Sequence, residues 1–410
     1  MTYQPNLTYK VSTENFKKPF FEMGPIRPPS EGRDDSLLFR VVRNCPWNRC
    51  LFCGTYKKER CGYRSTEQIK EDVNVAKALY DELKSASWKF GLAGRVTNEL
   101  VKAIVYGNPE IYGNGEGLPL QNLLNMVNWI ASGGRTVFLQ DADALIMRTP
   151  ELVEVIEYVK KTFPTVERIT SYARAKTCNK KPLEDLQQLY QAGLSRLHVG
   201  LESGNDEVLS FMQKGVTREE HITGGKKVVE SGISISEYYM PGLGGRNWSK
   251  VHAVDSAKAL SEIDADFIRI RSLIVRKGTL LYETCDEGRF EPLNEDEMVD
   301  EIALFVENLN CHSYMVSDQM SNLLFEVEGQ LPDEKEEILE RISRYQRKPL
   351  MEKLEFRLKR RLQSYIAVYG RLDQHLHQRI TETMNAIQSE SPDAEEKTNQ
   401  AIAALKQGFV

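Results

Sequence analysis

The chain reads as an α/β protein built on a mainly parallel sheet, and three observations predict it. Short β-branched or aliphatic runs alternate with helical patterns of roughly ten to fifteen residues. Polar or glycine-bearing turns separate the two. The phrase recurs five times from about Leu37, and a sixth strand follows. Parallel neighbours need a crossover, usually a helix, so the alternation implies right-handed βαβ units. An open doubly wound sheet and a barrel both satisfy it.

"SLLFRVVRN" is the first strand and ends in a cysteine-rich loop. "STEQIKEDVNVAKALYDELKSA" is the helix after it, with Ser65 or Thr66 as cap and acidic residues early. An insertion follows over about 85–134, with "GNPEIYGNGEGLP" between helical segments, and is expected to cover one end of the sheet. "RTVFLQDADAL" is the second strand; "TPELVEVIEYVKKTF" is its helix, with Thr149 as cap and Pro150 at the first position. "VERITSYARA" is the third strand, and "PLEDLQQLYQAG" a helix that Gly193 stops. "SRLHVGLES" with "HITGGKKVVESG", and "ISISEYYMPGLGG" with "SKVHAVDSAKALSEI", make the fourth and fifth pairs. "DFIRIRSLIVRKGTLL" is the sixth strand, and after about Arg289 the remainder reads as helices. The division is therefore an N-terminal extension over 1–36, a sheet domain over 37–288 and a helical C-terminal region over 289–410.

Bulk composition narrows the class. With 410 residues, 41% hydrophobic and 28% charged, the chain can bury a substantial core, and no window approaches the ~18 apolar residues of a membrane span. The polar N-terminus lacks a signal-peptide core, so the expectation is a cytoplasmic protein. A net charge of −5 argues against nucleic acid or anionic membrane as the main partner. The segment 341–379 runs the other way, with eleven Lys or Arg against three Asp or Glu. A solvated basic helix face is the expected reading; RNA, an anionic lipid surface or a carrier protein is the sharper one, and the lack of interleaved aromatics disfavours RNA.

Four of the seven cysteines lie within seventeen positions, and in a reducing compartment such clustering points to metal or catalysis. Cys45, Cys50 and Cys53 read C-x4-C-x2-C after the first strand. Three thiolates at that spacing suit an iron–sulfur cube with one iron left open; zinc would need Cys61 as a fourth ligand, without the two close pairs usual for a zinc knuckle.

Five stretches in order resemble the radical S-adenosylmethionine (SAM) enzymes: "CPWNRCLFC", "VFLQDADAL", "RITSYARA", "HVGLESGNDEVLSFMQKG" and "YYMPGLGG". The fourth is most similar to the branch containing cobalamin-type radical SAM enzymes, methylthiotransferases and anaerobic coproporphyrinogen oxidases. The resemblance spans about Leu37 to Leu281. It implies a partial (β/α)6 TIM-like barrel, here with a helical C-terminal extension. It also implies a [4Fe–4S] cluster on Cys45, Cys50 and Cys53, with SAM chelating the fourth iron and Phe52 at the usual aromatic position. By the same likeness Gln140, Asp141 and Asp143 are candidates for the methionyl amino group, Ser171 and Arg174 for the carboxylate, Glu202 and Ser203 for the ribose or methionine moiety, and Gly242, Leu243 and Gly244 for the adenine. Two departures stand out: the first cysteine spacing is one residue longer than the family's, and the usual Gly-Gly-Glu is absent from the second stretch.

The implied reaction is reductive cleavage of SAM to methionine and a 5′-deoxyadenosyl radical, which takes hydrogen from a small-molecule substrate; a flavodoxin or ferredoxin would supply the electron. About 35 residues precede the first strand and no second cysteine triad follows, so cobalamin-dependent methyl transfer and sulfur insertion are disfavoured. Two other readings stay open: a zinc-stabilised module that binds RNA or protein, and a cluster- and SAM-binding chaperone or cofactor carrier without turnover. Trp47 is expected to pack the loop, Lys214 to form an ion pair, Cys178, Cys285 and Cys311 to be core thiols, and His252 and His312 to be structural. The stretch 313–332 is expected to close the sheet's underside or to cap a helix.

Overall fold

A computed structural model describes residues 8–11, 20–29, 35–113 and 117–409. Much of the N-terminal extension, and Asn114 to Glu116 in the insertion, lie outside these residues. Among these residues ten strands are present: β1 Leu37–Arg40, β2 Val42–Arg43, β3 Gly62–Tyr63, β4 Thr136–Gln140, β5 Arg168–Ala173, β6 Leu194–Glu202, β7 Ser234–Tyr239, β8 Phe267–Ile270, β9 Tyr314–Val316 and β10 Gly329–Gln330. Eight form one sheet in the order β1-β4-β5-β6-β7-β8-β9-β10, and β2 pairs with β3 apart from it. Each strand of the large sheet neighbours its successor in the chain, with no point at which the order reverses. A doubly wound sheet must reverse; a chain that keeps winding one way builds a barrel. The fold is the partial TIM-like barrel type.

Three local readings change. The sixth strand shrinks to the four residues of β8, and regular structure resumes with the helix Leu280–Asp286. The sheet also continues where helices were expected: β9 runs parallel to β8, with Phe267 opposite Tyr314, and β10 pairs with it antiparallel. Thr149 is not a cap but the first residue of the helix Thr149–Thr162, and its hydroxyl donates to Asp185 at 2.7 Å.

The chain divides into two compact units, Met1–Pro46 with Lys58–His198 and Lys227–Ser234, and Trp47–Lys57 with Val199–Lys226 and Ile235–Val410. In the first, Ser65 closes a full capping box with Gln68 and starts the helix Thr66–Lys89, as its sequence predicts. Leu37, Phe39, Val137 and Leu139 are wholly buried in β1 and β4, and Trp129 meets Phe163 edge-on at 5.2 Å. The insertion covers the free edge of β1: Asn125, on its helix Leu118–Ala131, accepts from Leu38 N at 3.2 Å and donates to Ser36 O at 2.8 Å. A side chain there does what a further strand would do for an exposed edge. Gly193, at φ 123°, ends the helix Leu183–Ala192 as expected.

In the second unit, Tyr239 of β7 stacks on Phe305 of the helix Glu295–Asn308 with ring centroids 3.8 Å apart. Asn322 accepts from Ser272 N and donates to Ile270 O, tying the segment 313–332 to the end of β8. Four C-terminal helices follow, Lys335–Gln346, Leu350–Tyr369, Gln374–Gln388 and Ala394–Lys406. Leu354, Leu358, Ala401 and Leu405 form the core of the last three. Eight of the eleven basic side chains of 341–379 are in ion pairs: Arg341, Arg347, Lys348, Lys353, Arg357, Lys359, Arg360 and Arg361. The excess charge is largely spent inside the protein. Among the described residues no helix is long and apolar enough to cross a membrane.

Arg361 is the best buried of these, with Nη2 at 2.7 Å from Glu295, Nη1 on the Ser321 and Asn322 carbonyls, and Lys406 joining the same carboxylate. Removing one partner of a buried pair strands the other charge, at a cost of about 3–5 kcal/mol. Arg361→Met is therefore expected to lower the unfolding free energy, read from denaturant titration, by about 3–5 kcal/mol. Burial opposes the ionised Glu295, but Arg361 and Lys406 hold its carboxyl well below the ordinary range. The pair's stabilisation is thus present above the unfolded-state value and fades on acidification, so the gap between variant and wild type is expected to narrow below about pH 4.

Candidate cofactor site

The cysteine loop leaves the barrel after β1 and is closed at its base by a clasp that the sequence did not reveal. Val42 pairs with Tyr63 and Arg43 with Gly62, and Asn44 Nδ2 donates to the Arg60 carbonyl at 2.7 Å. Arg43 forks onto Glu22 with two contacts of 2.7 Å. Cys45 and Cys61 therefore sit just inside the clasp, both in the first unit. Burial pushes the Cys61 thiol up, and Cys45, Asp143 and Asp141 add to the shift.

The other two cysteines lie in the second unit. Cys53 N donates to Cys50 O at 3.3 Å, turning the chain so that both thiols share a short bend. Leu51, between them, is pinned from two sides: its N–H reaches Met212 O and its carbonyl receives Leu281 N, each at 3.0 Å. Phe52 packs beside it against the cluster of Val208, Met212, Leu243 and Leu281. Trp47 donates to Gln213 O at 2.7 Å and lies where a Cβ on Gly215 would fall, the packing role expected for it. All four loop cysteines are half-buried and none is in a disulfide. Three soft thiols on one short loop are the donor chemistry an iron–sulfur cluster requires. Among the described residues, no three Cys, His, Asp or Glu side chains converge closely enough to hold a metal ion.

The candidates at the end of β4 are not equivalent. Gln140 is fully buried and spent on the N-terminal segment: its Oε1 accepts from Gly24 N at 2.9 Å, and its Nε2 donates to Gly24 O at 3.2 Å and to Ile26 O. Asp141 is buried against Arg40, whose Nε lies 2.7 Å from Oδ2, and also accepts from Asn44 N. A Cβ on Gly24 would fall 1.8 Å from Asp141 Oδ1, so only glycine fits there. Asp143 differs. Its Oδ2 accepts from Thr177 at 2.5 Å, but its buried Oδ1 has no side-chain partner among the described residues. Burial pushes its carboxyl up to about 6, against the pull of Thr177 and Arg174. Ser171 is buried with its hydroxyl donated to Leu139 O, while Arg174 ends β5 close enough to Asp143 to act on it.

In the second unit, Glu202 closes β6 in a left-handed conformation at φ 54°, uncommon for a residue with a side chain. Its carboxylate curls back over Gly200, where a Cβ would sit 1.9 Å from Oε1, and pairs with Lys214 as that lysine was expected to do. Glu237 on β7, which the sequence reading passed over, is wholly buried beside them. Burial first, then the Glu202 charge, drives its carboxyl well above the usual range, with Lys214 opposing. Ser203 bonds to His252 Nδ1 at 2.8 Å, and Gly242 N donates to Glu301 at 2.6 Å. Gly242, Leu243 and Gly244 form a tight loop, with Gly242 at φ 84°. His252 and Glu301 were not singled out as site residues, because polar side chains on a buried helix face carry no local signal.

Residues 101–257 match the profile of the Radical SAM superfamily. Over that span, 157 of the 410 residues, the chain is similar to this superfamily. Its members bind a [4Fe–4S] cluster and SAM, the cofactors that go with the loop and strand ends described above. Among curated relatives, a tRNA uridine(34) acetyltransferase of Methanocaldococcus jannaschii is 27% identical over 126 residues, 29% of this chain and 22% of the relative. The heme chaperone HemW of Bacillus subtilis is 24% identical over 214 residues, 49% of this chain and 56% of the relative. The chain thus spans from about a fifth to a little over half the length of these relatives. Among solved structures, an N-terminally deleted Elp3 of Methanocaldococcus infernus aligns with a TM-score of 0.40 at 16% identity, over 52% of this chain and 54% of that one.

A carboxyl raised on folding binds its proton more tightly in the folded state, so it subtracts stability as pH rises from the unfolded value of 3.8 through about 6. Asp143→Asn should remove that loss. Denaturant unfolding at pH 4 and pH 7 should show the variant gaining on wild type by about 1–3 kcal/mol at the higher pH.

Proposed function

We propose that this radical SAM protein reductively cleaves SAM at a cluster held by Cys45, Cys50 and Cys53 and passes the radical to a small-molecule substrate. The observation that carries the reading is the set of half-buried thiols, none in a disulfide, on one loop directly after the first barrel strand. When bound, the reduced cluster supplies the one electron that breaks the sulfonium C5′–S bond, giving methionine and a 5′-deoxyadenosyl radical that takes a hydrogen atom from substrate. A one-electron donor of the flavodoxin or ferredoxin class supplies that electron.

The chain's own residues hold and orient. Asp143, with one carboxylate oxygen open, suits the methionyl ammonium, and the Arg174 guanidinium suits the carboxylate. Glu202, paired with Lys214, and Ser203 suit the ribose hydroxyls. The backbone of Gly242 to Gly244 allows close approach of the flat adenine. Gln140, Asp141 and Ser171 are already engaged with other parts of the chain, so we assign them to the walls of the site. Phe52 packs the cysteine turn.

A cofactor carrier without turnover is the second reading, favoured by the likeness to a heme chaperone. The ion-paired state of the basic segment speaks against an RNA surface there. Anaerobic reconstitution with iron and sulfide, followed by dithionite and SAM, separates the readings. Formation of 5′-deoxyadenosine is expected, and a stable cluster with bound haem and no 5′-deoxyadenosine would favour the carrier. Cys50→Ala should abolish the brown chromophore and SAM cleavage together, whereas Cys61→Ala should spare both; the reverse pattern refutes the ligand assignment.

A further inference from the structure

Glu301 lies at the middle of the helix Glu295–Asn308 with its carboxylate wholly buried. Three groups donate to it: Gly242 N at 2.6 Å and Tyr239 Oη at 3.1 Å on Oε1, and Ser249 Oγ at 2.6 Å on Oε2. Met298, one turn earlier, covers the same loop, since a Cβ on Gly242 would fall 2.6 Å from its Cε. His252 joins the neighbouring strand ends, with Nδ1 2.8 Å from Ser203 Oγ and Nε2 3.0 Å from Met240 O. A carbonyl only accepts, so Nε2 carries the proton and Nδ1 accepts from the Ser203 hydroxyl. Burial, which holds His252 below its ordinary range, agrees with this neutral form. His252 Nε2 also lies 3.6 Å from Glu301. The ends of β6 and β7 are thus bonded into one buried network that a single helix anchors.

The first turn of that helix is gripped from the other side. Arg361 and Lys406 hold Glu295, and Arg357 and Tyr345 hold Asp296. Three C-terminal helices therefore bear on the element that shapes the glycine loop.

We propose that the helix Glu295–Asn308 is a positioning element for SAM, with Glu301 setting the backbone of the Gly242 loop and the C-terminal helices, through Glu295 and Asp296, holding that setting. This rests on the reading that Ser203 and the loop Gly242–Gly244 border the cofactor. The C-terminal region then belongs to the wall of the cofactor site and is not a separate docking module. Glu301 is a positioning residue, since it acts through the Gly242 amide.

The test uses the full chain, reconstituted anaerobically, in three variants: Glu301→Gln, Glu301→Ala and Arg361→Met. SAM affinity by equilibrium binding, hydrogen exchange at the Gly242 amide, iron content and melting temperature are recorded for each. Glu301→Gln retains an acceptor oxygen for Gly242 N and should bind SAM within about threefold of wild type. Glu301→Ala should bind about tenfold more weakly or worse, with the Gly242 amide exchanging faster and iron content unchanged, as expected for the loss of a charge-assisted buried hydrogen bond. Arg361→Met should weaken SAM binding in the same direction although it touches neither loop. A folded, iron-loaded Glu301→Ala protein that binds SAM as wild type does would overturn the proposal, as would Arg361→Met lowering the melting temperature with unchanged affinity. Should wild type itself bind no SAM, the reading of the cofactor site fails, and exchange alone decides: Gly242 protection lost in Glu301→Ala upholds the positioning role, and unchanged protection overturns it.

Discussion

Three thiolates can occupy three corners of an iron–sulfur cube and leave the fourth iron for a small ligand, and the function proposed for this chain rests on that shortfall. Cys45, Cys50 and Cys53 lie on one loop, while Cys61 returns to the clasp beside Cys45, raised in pKa by its burial. A thiol that keeps its proton is the poorer ligand, because the thiolate is the species that binds metal. The same loop is anchored through Leu51 to backbone groups of Met212 and Leu281, so its bend is set by main-chain bonds and not by the thiols themselves.

The buried carboxylates sort by what they touch. Asp141 is matched by Arg40, and Glu295 by Arg361 and Lys406; these charges are compensated inside the fold and belong to its scaffold. Asp143 meets the Thr177 hydroxyl where Asp141 meets the Arg40 guanidinium, and it lies past the end of a barrel strand, where ligands of such folds gather. Glu202 pairs with Lys214, and beside it burial first, then the Glu202 charge, drives the Glu237 carboxyl up, with Lys214 opposing. Partner state, not the mere presence of an acidic residue, separates support from function.

The alternation of strand and helix was legible from Leu37 to β8, and so were the Ser65 capping box and the Gly193 stop, since each rests on local chemistry. The two- and three-residue strands β2, β3, β9 and β10 were not, because so short a run shows no period. β8 was read too long because the apolar run after Ile270 continues into a loop held by Asn322, fifty residues away. The ranking of Asp143 over Asp141 depends on Arg40, a hundred positions earlier in the chain. Gln140 looked like a ligand for SAM because nothing local shows that Gly24 and Ile26 take up its amide. The basic run of 341–379 was read as a solvated helix face because its acidic counterparts Glu295, Asp296 and Glu326 lie outside it and could not be seen from the run itself.

What joins these parts in the proposed reading is an open coordination position that a sulfonium molecule would complete. Electron paramagnetic resonance of the reduced, reconstituted protein tests this most directly, recorded with and without added SAM. The account predicts a [4Fe–4S] signal that shifts when SAM is added, as an amino acid moiety takes the open iron. A signal indifferent to SAM, from a cluster with all four irons bound by cysteine, would contradict it.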